Sequence, residues 1–161
     1  MKRRQKTSIF ICCEGKTEVA FLKYIKSLYI AGEQKSIRIK SANGGDILSM
    51  KRHTGEQKNH IHIDKDYILL DGDQIKSKNI NEENVLVVQP CIEGLFLEIL
   101  DRSKPRTSRK CKKIFEKNYL NSKDKLHHKS YQTIFNKNKL ENARSRLPLL
   151  NKILKIFETE Q

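Results

Sequence analysis

Residues 7–25, TSIFICCEGKTEVAFLKYI, contain the transition that decides the fold. The first seven of these residues form a short, mostly apolar run with β-branched members, which predicts a buried strand. From Gly15 onward the apolar residues recur at helical spacing, so an amphipathic helix should follow directly. The Gly-Lys-Thr tripeptide that begins there is typical of a phosphate-binding P-loop, but a P-loop requires glycine at the position of Phe10. The stretch therefore predicts a strand that enters a helix through Glu14.

The alternation of strand and helix continues beyond this stretch. Three further strands are predicted at 35–40, 66–73 and 84–90, and two further helices at about 45–58 and 91–100. Strands that alternate with helices are typical of an α/β fold with a mainly parallel sheet. We therefore predict a four-stranded, Rossmann-like sheet flanked by helices, formed by residues 1–101.

A basic helical extension packed on this core is predicted for residues 102–161. Its helices are expected near 108–119, 130–139 and 141–158, with Pro148 at a helix start or kink. The net charge of +14 lies mostly here, because residues 1–100 carry 16 Lys and Arg against 13 Asp and Glu, whereas residues 101–161 carry 17 against 6. Contacts from Lys and Arg to phosphates dominate nonspecific affinity for nucleic acid, so a polyanionic partner is predicted. The alternative is a Lys-rich composition without such a role.

The cysteines and the hydropathy pattern bear on the compartment. The chain has four cysteines and no C-x-x-C pair, which predicts reduced thiols, the first three at buried positions: Cys12, Cys13, Cys91 and Cys111. No apolar run approaches the roughly 18 residues that a membrane span needs. The apolar run after the basic N-terminus is too short for a secretory signal. A cytoplasmic protein without membrane contact is therefore expected.

Three acidic residues follow two of the predicted strands. Glu14 follows the first strand, and Asp71 and Asp73 end the third. In open α/β sheets ligands bind outside the carboxyl ends of the strands, so these carboxylates should meet at one edge. Clustered carboxylates repel one another unless a cation neutralises them, and Mg²⁺ prefers oxygen ligands of this kind. The pattern predicts a Mg²⁺-assisted phosphoryl-transfer site, and the alternative is a set of solvated acids in turns.

Three segments carry motifs in a characteristic order: ICCEGKTEVAFL (11–22), ILLDGDQ (68–74) and VVQPCIEGLFLEIL (87–100). The first two resemble the TOPRIM domain of topoisomerases, primases and overcoming-lysogenization-defect nucleases. The third resembles a segment of RloB-like proteins, a TOPRIM branch found in bacterial defence and restriction loci. A basic segment, KCKKIFEKNY (110–119), follows as it does in that branch. The chain departs from the pattern at Ile92, where an aromatic residue is usual, and in its short length.

The resemblance implies roles for five acidic residues. Glu14 corresponds to the TOPRIM glutamate, a general acid/base or metal ligand, and Asp71 and Asp73 correspond to its metal-binding Asp-x-Asp pair. Glu18 and Glu93 correspond to further acids of the nuclease and RloB-like branches and would be additional metal ligands. For these two the alternative is a charge that only complements a helix N-terminus, an effect of about 0.3–1 kcal/mol.

Basic residues are predicted to hold the phosphates of a nucleic acid. Lys16 would meet a phosphate at a helix N-terminus, where anions are favoured. The others belong to the extension: Arg102, Lys104, Arg106, Arg109, Lys110, Lys112 and Lys113. For all of them the alternative is an ordinary solvated face.

The expected function is nucleic-acid phosphodiester cleavage that depends on Mg²⁺ or Mn²⁺, with Glu14, Asp71 and Asp73 as the catalytic acids. The resemblance implies a role in bacterial defence and an ABC-type ATPase encoded nearby as a partner, and a homo-oligomer is a further hypothesis. The alternative is a non-catalytic nucleic-acid-binding or assembly module of a defence complex. A hydrolase that acts on a smaller phosphorylated substrate would use the same acids. The sequence does not separate DNA from RNA as the substrate.

Overall fold

The computed structural model describes residues 5–30, 34–75, 80 and 82–158. Its first strand, β1 (Thr7–Cys13), leads into helix α1 (Lys16–Tyr29), as predicted. Gly15 precedes the helix in an extended conformation, with φ −128° and ψ 177°. The chain therefore changes from strand to helix across only two residues, of which Glu14 is the first.

The described residues form one four-stranded parallel sheet. Its other strands are β2 (Lys35–Ser41), β3 (Lys65–Asp71) and β4 (Val85–Val88), and helices α2 (Ile47–Lys58) and α3 (Ile92–Ile99) follow β2 and β4. The strand order is β2-β1-β3-β4, and every neighbouring pair is parallel. The prediction of an α/β fold with a parallel four-stranded sheet flanked by helices is confirmed. The register places Cys13 opposite Leu69, so the carboxyl ends of β1 and β3 lie side by side.

The end of β3 differs from the prediction of a strand over 66–73. The strand ends at Asp71, and residues Gly72–Gln74 form a single 3-10 turn. The Asp73 amide donates to the carbonyl of Pro90 at 3.1 Å instead of continuing the sheet. A Cβ atom at position 72 would lie about 2.2 Å from the Gln89 side chain, so the turn is tight enough to favour glycine. Asp71 and Asp73 therefore do not share one extended backbone.

The extension also differs from its predicted helices. It contains α4 (Ser108–Asn118), short 3-10 segments at Asp124–Leu126 and His128–Thr133, α5 (Lys137–Arg144) and α6 (Pro148–Phe157). The helix predicted over 130–139 is wrong because Asn136 caps α5, its side chain accepting a hydrogen bond from the Lys139 amide. The helix predicted over 141–158 is two helices, because Pro148 begins α6 at a position that needs no amide donor. Residues 1–4, 31–33, 76–79 and 81 of the predicted core and residues 159–161 of the predicted extension lie outside the described residues.

Both faces of the sheet are covered. Along β1 the side chains of Ile9, Ile11 and Cys13 enter one hydrophobic cluster and those of Phe10 and Cys12 enter another. The second cluster is covered by α2, and the first by α1, α3 and the helices of the extension. Each large side chain buried in this way stabilises the fold by about 1.5–3 kcal/mol. All four cysteines are free and buried, as expected for the first three.

Aromatic side chains join the extension to the sheet. The ring centroid of Phe96 in α3 lies 4.8 Å from that of Phe21 in α1, 5.0 Å from Phe115 in α4 and 5.4 Å from Tyr131. All four rings are fully or almost fully buried in one cluster. The extension thus completes the core on this face of the sheet.

Among the helices of the described ranges, none has the length and apolarity to cross a membrane.

Candidate functional site

Glu14 is fixed at the carboxyl edge of the sheet by its own backbone. Its amide donates to the carbonyl of Leu69 in β3 at 3.1 Å, and its carbonyl accepts from the Gly44 amide at 2.8 Å. Its side chain turns toward β3, where Oε2 accepts from the Asp71 amide at 3.0 Å. The Glu14 carboxylate therefore bridges the ends of β1 and β3, as the parallel register predicts.

Asp71 lies between β3 and the start of α3. It is 6% exposed, and its Oδ1 accepts a hydrogen bond from the Ile92 amide at 3.1 Å. That amide belongs to the first turn of α3, whose unpaired N–H groups favour a carboxylate. Asp71 is therefore held in place by α3 while it remains at the strand end.

Glu18 and Glu93 enter the same region from two helices. Glu18 lies one turn into α1 and is 4% exposed, and Glu93 lies in the first turn of α3 and is 1% exposed. A Cβ atom at Gly15 would lie 2.8 Å from Oε2 of Glu18, so the glycine leaves room for that carboxylate. Both side chains are buried, so neither acid is an ordinary solvated charge, and both positions remain compatible with a charge that complements a helix N-terminus.

One cavity of about 210 Å³ brings these acids together. It is lined by Glu14, Gly15, Thr17, Glu18, Gly44, Asp71, Glu93 and Lys112. Four of the five acids predicted from the sequence thus share one cavity. It lies at the carboxyl ends of β1 and β3, the edge at which open α/β sheets bind ligands.

Burial and mutual repulsion make negative charge unfavourable in this cavity. Burial, with repulsion from Glu18 and Glu14, raises the pKa of Asp71 to about 8. Burial also raises the pKa of Glu18, with a smaller effect from the Glu93 charge. For Glu14 burial raises the pKa against the lowering effect of the Asp71 amide. A cation that bound here would relieve all three carboxylates.

Lys112 supplies positive charge at the same cavity. It lies in α4 and is exposed, but it lines the cavity together with the acids. Burial alone would lower the pKa of Lys112, but the charges of Glu93 and Asp71 outweigh this effect and raise it. Of the extension residues predicted to bind nucleic acid, Lys112 is the one that the cavity lining includes.

Asp73 lies beside the cavity and not in its lining. The 3-10 turn after β3 leaves its side chain exposed, although its charge still contributes to the raised pKa values of Glu14 and Asp71. The sequence predicts Asp71 and Asp73 together at the end of one strand, 66–73. The structure separates them because the strand ends at Asp71 and the chain turns at Gly72, which leaves the Asp73 side chain exposed.

Lys125 is a site residue that sequence reasoning missed. It is 5% exposed, and its Nζ lies 2.6 Å from Oε1 of Glu93 and 2.7 Å from Oε1 of Glu116. A buried ammonium needs such partners, because desolvation of an unpaired charge costs several kcal/mol. The chain is rich in lysine throughout, so no spacing or neighbouring motif distinguished this one.

The other predicted basic residues lie on the surface. Lys16 is exposed in the first turn of α1, and the exposed extension residues are Arg102, Lys104, Arg106, Arg109, Lys110 and Lys113. The Lys104 ammonium is 3.2 Å from the Glu98 carboxylate. Nε of Arg102 donates to the Tyr119 hydroxyl at 3.0 Å. These exposed cations are compatible with phosphate contacts and equally with a solvated face.

The acids of the cavity offer the kind of ligand atom that a hard divalent cation prefers. These atoms are carboxylate oxygens, and one of them, Oε2 of Glu93, is buried without a hydrogen-bond partner in the described ranges. In the arrangement present, no three His, Cys, Asp or Glu side chains of the described chain are close enough to hold a metal ion together. A cation would therefore have to draw Glu14, Glu18, Asp71 and Glu93 closer to one another.

Comparison of the chain with protein-family models, with curated proteins and with solved structures found no match.

Proposed function

We propose that this protein is a TOPRIM-type nuclease that cleaves phosphodiester bonds of nucleic acid with Mg²⁺ or Mn²⁺. The observation that carries the proposal is the cavity in which Glu14, Glu18, Asp71 and Glu93 converge at the carboxyl edge of a parallel sheet. Four carboxylates in one cavity repel one another when ionised, which is costly unless a ligand neutralises them. The order of motifs along the chain supports the same conclusion.

Glu14 and Asp71 are the residues best placed to hold the cation. They are linked through the Asp71 amide, they lie at adjacent strand ends, and Glu14 is only half-buried. Glu18 and Glu93 would complete the oxygen donors from the deeper side of the cavity. A bound divalent cation would stabilise negative charge on the scissile phosphate and activate water for attack.

The chain's own residues supply the remaining functions. The Glu14 carboxylate, whose pKa is raised by burial, would exchange a proton with the attacking water. Lys112, at the cavity lining, would meet a phosphate oxygen of the strand being cut. The exposed cations of α4 would hold the backbone of the nucleic acid further from the cut. Asp73, exposed beside the cavity, would contribute negative charge that favours the cation.

The biological setting is part of the proposal and rests on the resemblance. We propose a cytoplasmic protein of bacterial defence that works beside an ABC-type ATPase encoded nearby. DNA and RNA both carry the phosphodiester that the cavity would act on, so the choice of substrate is a question for experiment.

The test compares the purified full chain with two matched variants, Asp71→Asn in the cavity and Asp101→Asn far from it. Asp101 is exposed and has a positive φ of 58°, a conformation that asparagine also tolerates. Each protein is incubated with Mg²⁺ or Mn²⁺ and with single- and double-stranded DNA and RNA. We expect cleavage by the wild type and by Asp101→Asn and loss of cleavage in Asp71→Asn.

Two outcomes would contradict the proposed nuclease. Absence of cleavage on all four substrates, together with tight binding that does not depend on metal, would favour the non-catalytic binding module. Because the partner ATPase is part of the proposal, the assay is repeated with that ATPase and ATP. Cleavage that survives Asp71→Asn would place the chemistry outside this cavity.

A further inference from the structure

A second cavity lies where the connection after α3 passes the end of α4. Its volume is about 520 Å³, against about 210 Å³ for the acidic cavity that contains Glu14 and Asp71. Pockets for small organic groups have volumes of roughly 300–1,000 Å³, so this one is large enough for a flat ring. We call it the Tyr119 pocket, and the residues that line it are Arg102, Ser103, Ile114, Asn118 and Tyr119.

The ring of Tyr119 is held in place at the border of this pocket. Its centroid lies 5.5 Å from that of Phe115, with an angle of 30° between the two planes, and Phe115 is fully buried. Its hydroxyl accepts a hydrogen bond from Nε of Arg102 at 3.0 Å. The ring therefore has little conformational freedom left to lose when a flat ligand stacks on it.

Ile114 adds an apolar surface to the same pocket. It is 39% exposed, and among the described residues it is one of three exposed large hydrophobic side chains, with Leu48 and Leu126. The two residues before it in α4, Lys112 and Lys113, are exposed cations. An apolar surface beside cations favours a ligand that joins a flat ring to negative charge, and a nucleotide has this composition.

The charge around the pocket favours a polyanion. Residues 102–118 contain eight Lys and Arg and a single acid, Glu116, which gives a net charge of +7. The Glu116 carboxylate lies 2.7 Å from the Lys125 ammonium, so an ion pair already offsets this one negative charge. The Tyr119 pocket consequently lies on a surface suited to the phosphates of a nucleic acid.

Helix α4 links the Tyr119 pocket to the acidic cavity. Lys112 lines the acidic cavity, and Tyr119, which caps α4, follows it by seven positions. Seven residues make two helical turns, so the two positions share one side of the helix and lie about 10.5 Å apart. Stacked nucleotides advance by about 3.4 Å each, so one strand of about three nucleotides would reach from one site to the other.

We propose that the Tyr119 pocket binds a base of single-stranded nucleic acid, which stacks on the Tyr119 ring and contacts Ile114. The same strand continues along α4 to the acidic cavity. Bases of a duplex are paired and stacked inside it, so they do not reach such a pocket without being flipped out. This inference rests on the proposed nuclease function and adds to it the form of the substrate, a single strand of DNA or RNA.

The test measures binding to the full chain by fluorescence anisotropy in EDTA, so that cleavage does not consume the ligand. The ligands are a short single strand, the duplex of the same sequence, and an abasic strand with the same number of phosphates; the single strand and the duplex are also made as RNA. We expect the wild type to bind the single strand at least about 5-fold more tightly than the abasic strand, because base stacking contributes this much. We expect the duplex to bind more weakly than the single strand.

Two variants separate the ring from its hydroxyl. Tyr119→Leu removes the ring, so it should bind the intact and abasic strands equally. Tyr119→Phe keeps the ring and should retain most of the preference for the intact strand. Neither variant removes a charge, so the salt dependence of binding should not change. A Tyr119→Phe chain that loses the preference as fully as Tyr119→Leu would overturn the stacking contact.

Ile114→Ala and Leu48→Ala form a matched pair, since both remove an exposed aliphatic side chain. Leu48 is 66% exposed and lies in α2, on the opposite face of the sheet. Ile114→Ala should lower the preference for the intact strand about 3-fold, because an apolar contact is lost. Leu48→Ala should leave it unchanged. Equal preferences in the two variants would contradict the contact with Ile114.

A fluorescent base reports stacking directly. The single strand carries 2-aminopurine, whose emission falls when it stacks, and the chain has no tryptophan to interfere. Emission should fall on binding to the wild type and to Tyr119→Phe and should stay high with Tyr119→Leu. Because Tyr119→Leu also loses packing on Phe115, its folding is checked by circular dichroism. The abasic strand tests the same contact in the unmodified protein.

The outcomes separate this inference from the proposed nuclease. A wild type that binds intact and abasic strands equally, or that binds the duplex more tightly, would overturn the inference even if it cleaves in Mg²⁺. A preference for the intact strand that depends on Tyr119, without cleavage in Mg²⁺, would support the pocket and contradict the nuclease.

Discussion

Glu14 and Asp71 are joined across two neighbouring strands by a hydrogen bond of 3.0 Å from the Asp71 amide to Oε2 of Glu14. The bond uses the backbone of Asp71, so both carboxyl groups keep oxygens for other partners. Oδ1 of Asp71 accepts from the Ile92 amide, which ties the pair to the start of α3. Three elements of the fold thus fix two acids at one edge of the sheet.

Glu14→Gln tests the chemical role of this pair without removing the hydrogen bond. The glutamine carbonyl can still accept from the Asp71 amide, so the free energy of unfolding should change by less than about 1 kcal/mol. Cleavage should fall on the order of 100-fold or more, mainly in kcat, because the carboxylate charge and its proton exchange are lost. Initial-rate kinetics with the preferred nucleic acid and Mg²⁺ measure this. A fall confined to KM would show that Glu14 only binds substrate.

The stability of the metal-free protein should fall as the pH rises from about 4 to about 8. Asp71 has an ordinary pKa of 3.8 and a pKa of about 8 in the fold, so between these values the folded chain retains a proton that the unfolded chain has released. A folded chain that binds one proton more than the unfolded chain loses about 1.4 kcal/mol of stability for each unit that the pH rises. Denaturant titrations in EDTA across this pH range measure the slope.

The matched variant for the pH experiment is Asp71→Asn. It removes the titrating group but keeps an oxygen that can accept from the Ile92 amide, so the slope should become shallower and the metal-free protein should gain stability at pH 8. Saturating Mg²⁺ should oppose the fall in stability of the wild type at high pH, because a cation favours the ionised carboxylates of the folded chain. Equal slopes for the wild type and Asp71→Asn would exclude Asp71 as the source.

Gly15→Ala should disturb the cavity with little disturbance of the backbone. The φ of −128° suits alanine, but the added Cβ would lie 2.8 Å from Oε2 of Glu18 and would displace that carboxylate. Mn²⁺ affinity should fall about 10-fold if Glu18 contributes to the cation site. Unchanged affinity would leave Glu18 as a structural acid.

Gly55→Ala is the control for that substitution. Gly55 lies within α2, and apart from its chain neighbours and the backbone of its own helix, an added Cβ would meet no atom of the described chain within 4 Å. Alanine is a better helix former by up to about 1 kcal/mol, so this variant should be slightly more stable with unchanged metal binding and cleavage. Calorimetry of both glycine variants separates helix propensity from displacement of the acid.

Lys112→Ala and Lys113→Ala should differ although the two lysines are adjacent and exposed. Lys112 lines the acidic cavity, so its loss should lower kcat about 10-fold or more and also weaken binding of nucleic acid. Lys113→Ala should affect binding alone and reduce the slope of log affinity against log salt by about 0.9 if it contacts a phosphate. Equal effects on kcat would contradict a specific role for Lys112.

The strands and the edge at which the acids meet could be predicted from local patterns. An apolar run such as residues 7–13 specifies a strand by itself, and parallel pairing then brings Glu14 beside Asp71. The end of β3 could not be predicted in the same way, because Asp-Gly-Asp is compatible with both strand and turn. The turn is decided by the Asp73 amide, whose acceptor at Pro90 lies 17 positions further along the chain.

The extension shows why sequence reasoning stopped short of Lys125. Pro148 begins α6, as its residue type predicted, but the Asn136 cap that begins α5 is a single residue that a search for periodicity passes over. Lys125 lies at the site because the aromatic core holds the segment Asp124–Leu126 against α1 and α3. The contact between Lys125 and Glu93 depends on tertiary packing, so no local pattern in the sequence predicts it.

The shared aromatic core also determines what would happen if the chain were cut. Phe115 and Tyr131 pack on Phe21 and Phe96, so neither the sheet nor the extension has a finished interior without the other. A nick in the exposed connection between α3 and α4 would leave two fragments held together by this core. Reassembly of the separated fragments would restore the Lys125–Glu93 contact in the same step as folding, so the cavity would regain its shape only when both pieces are present.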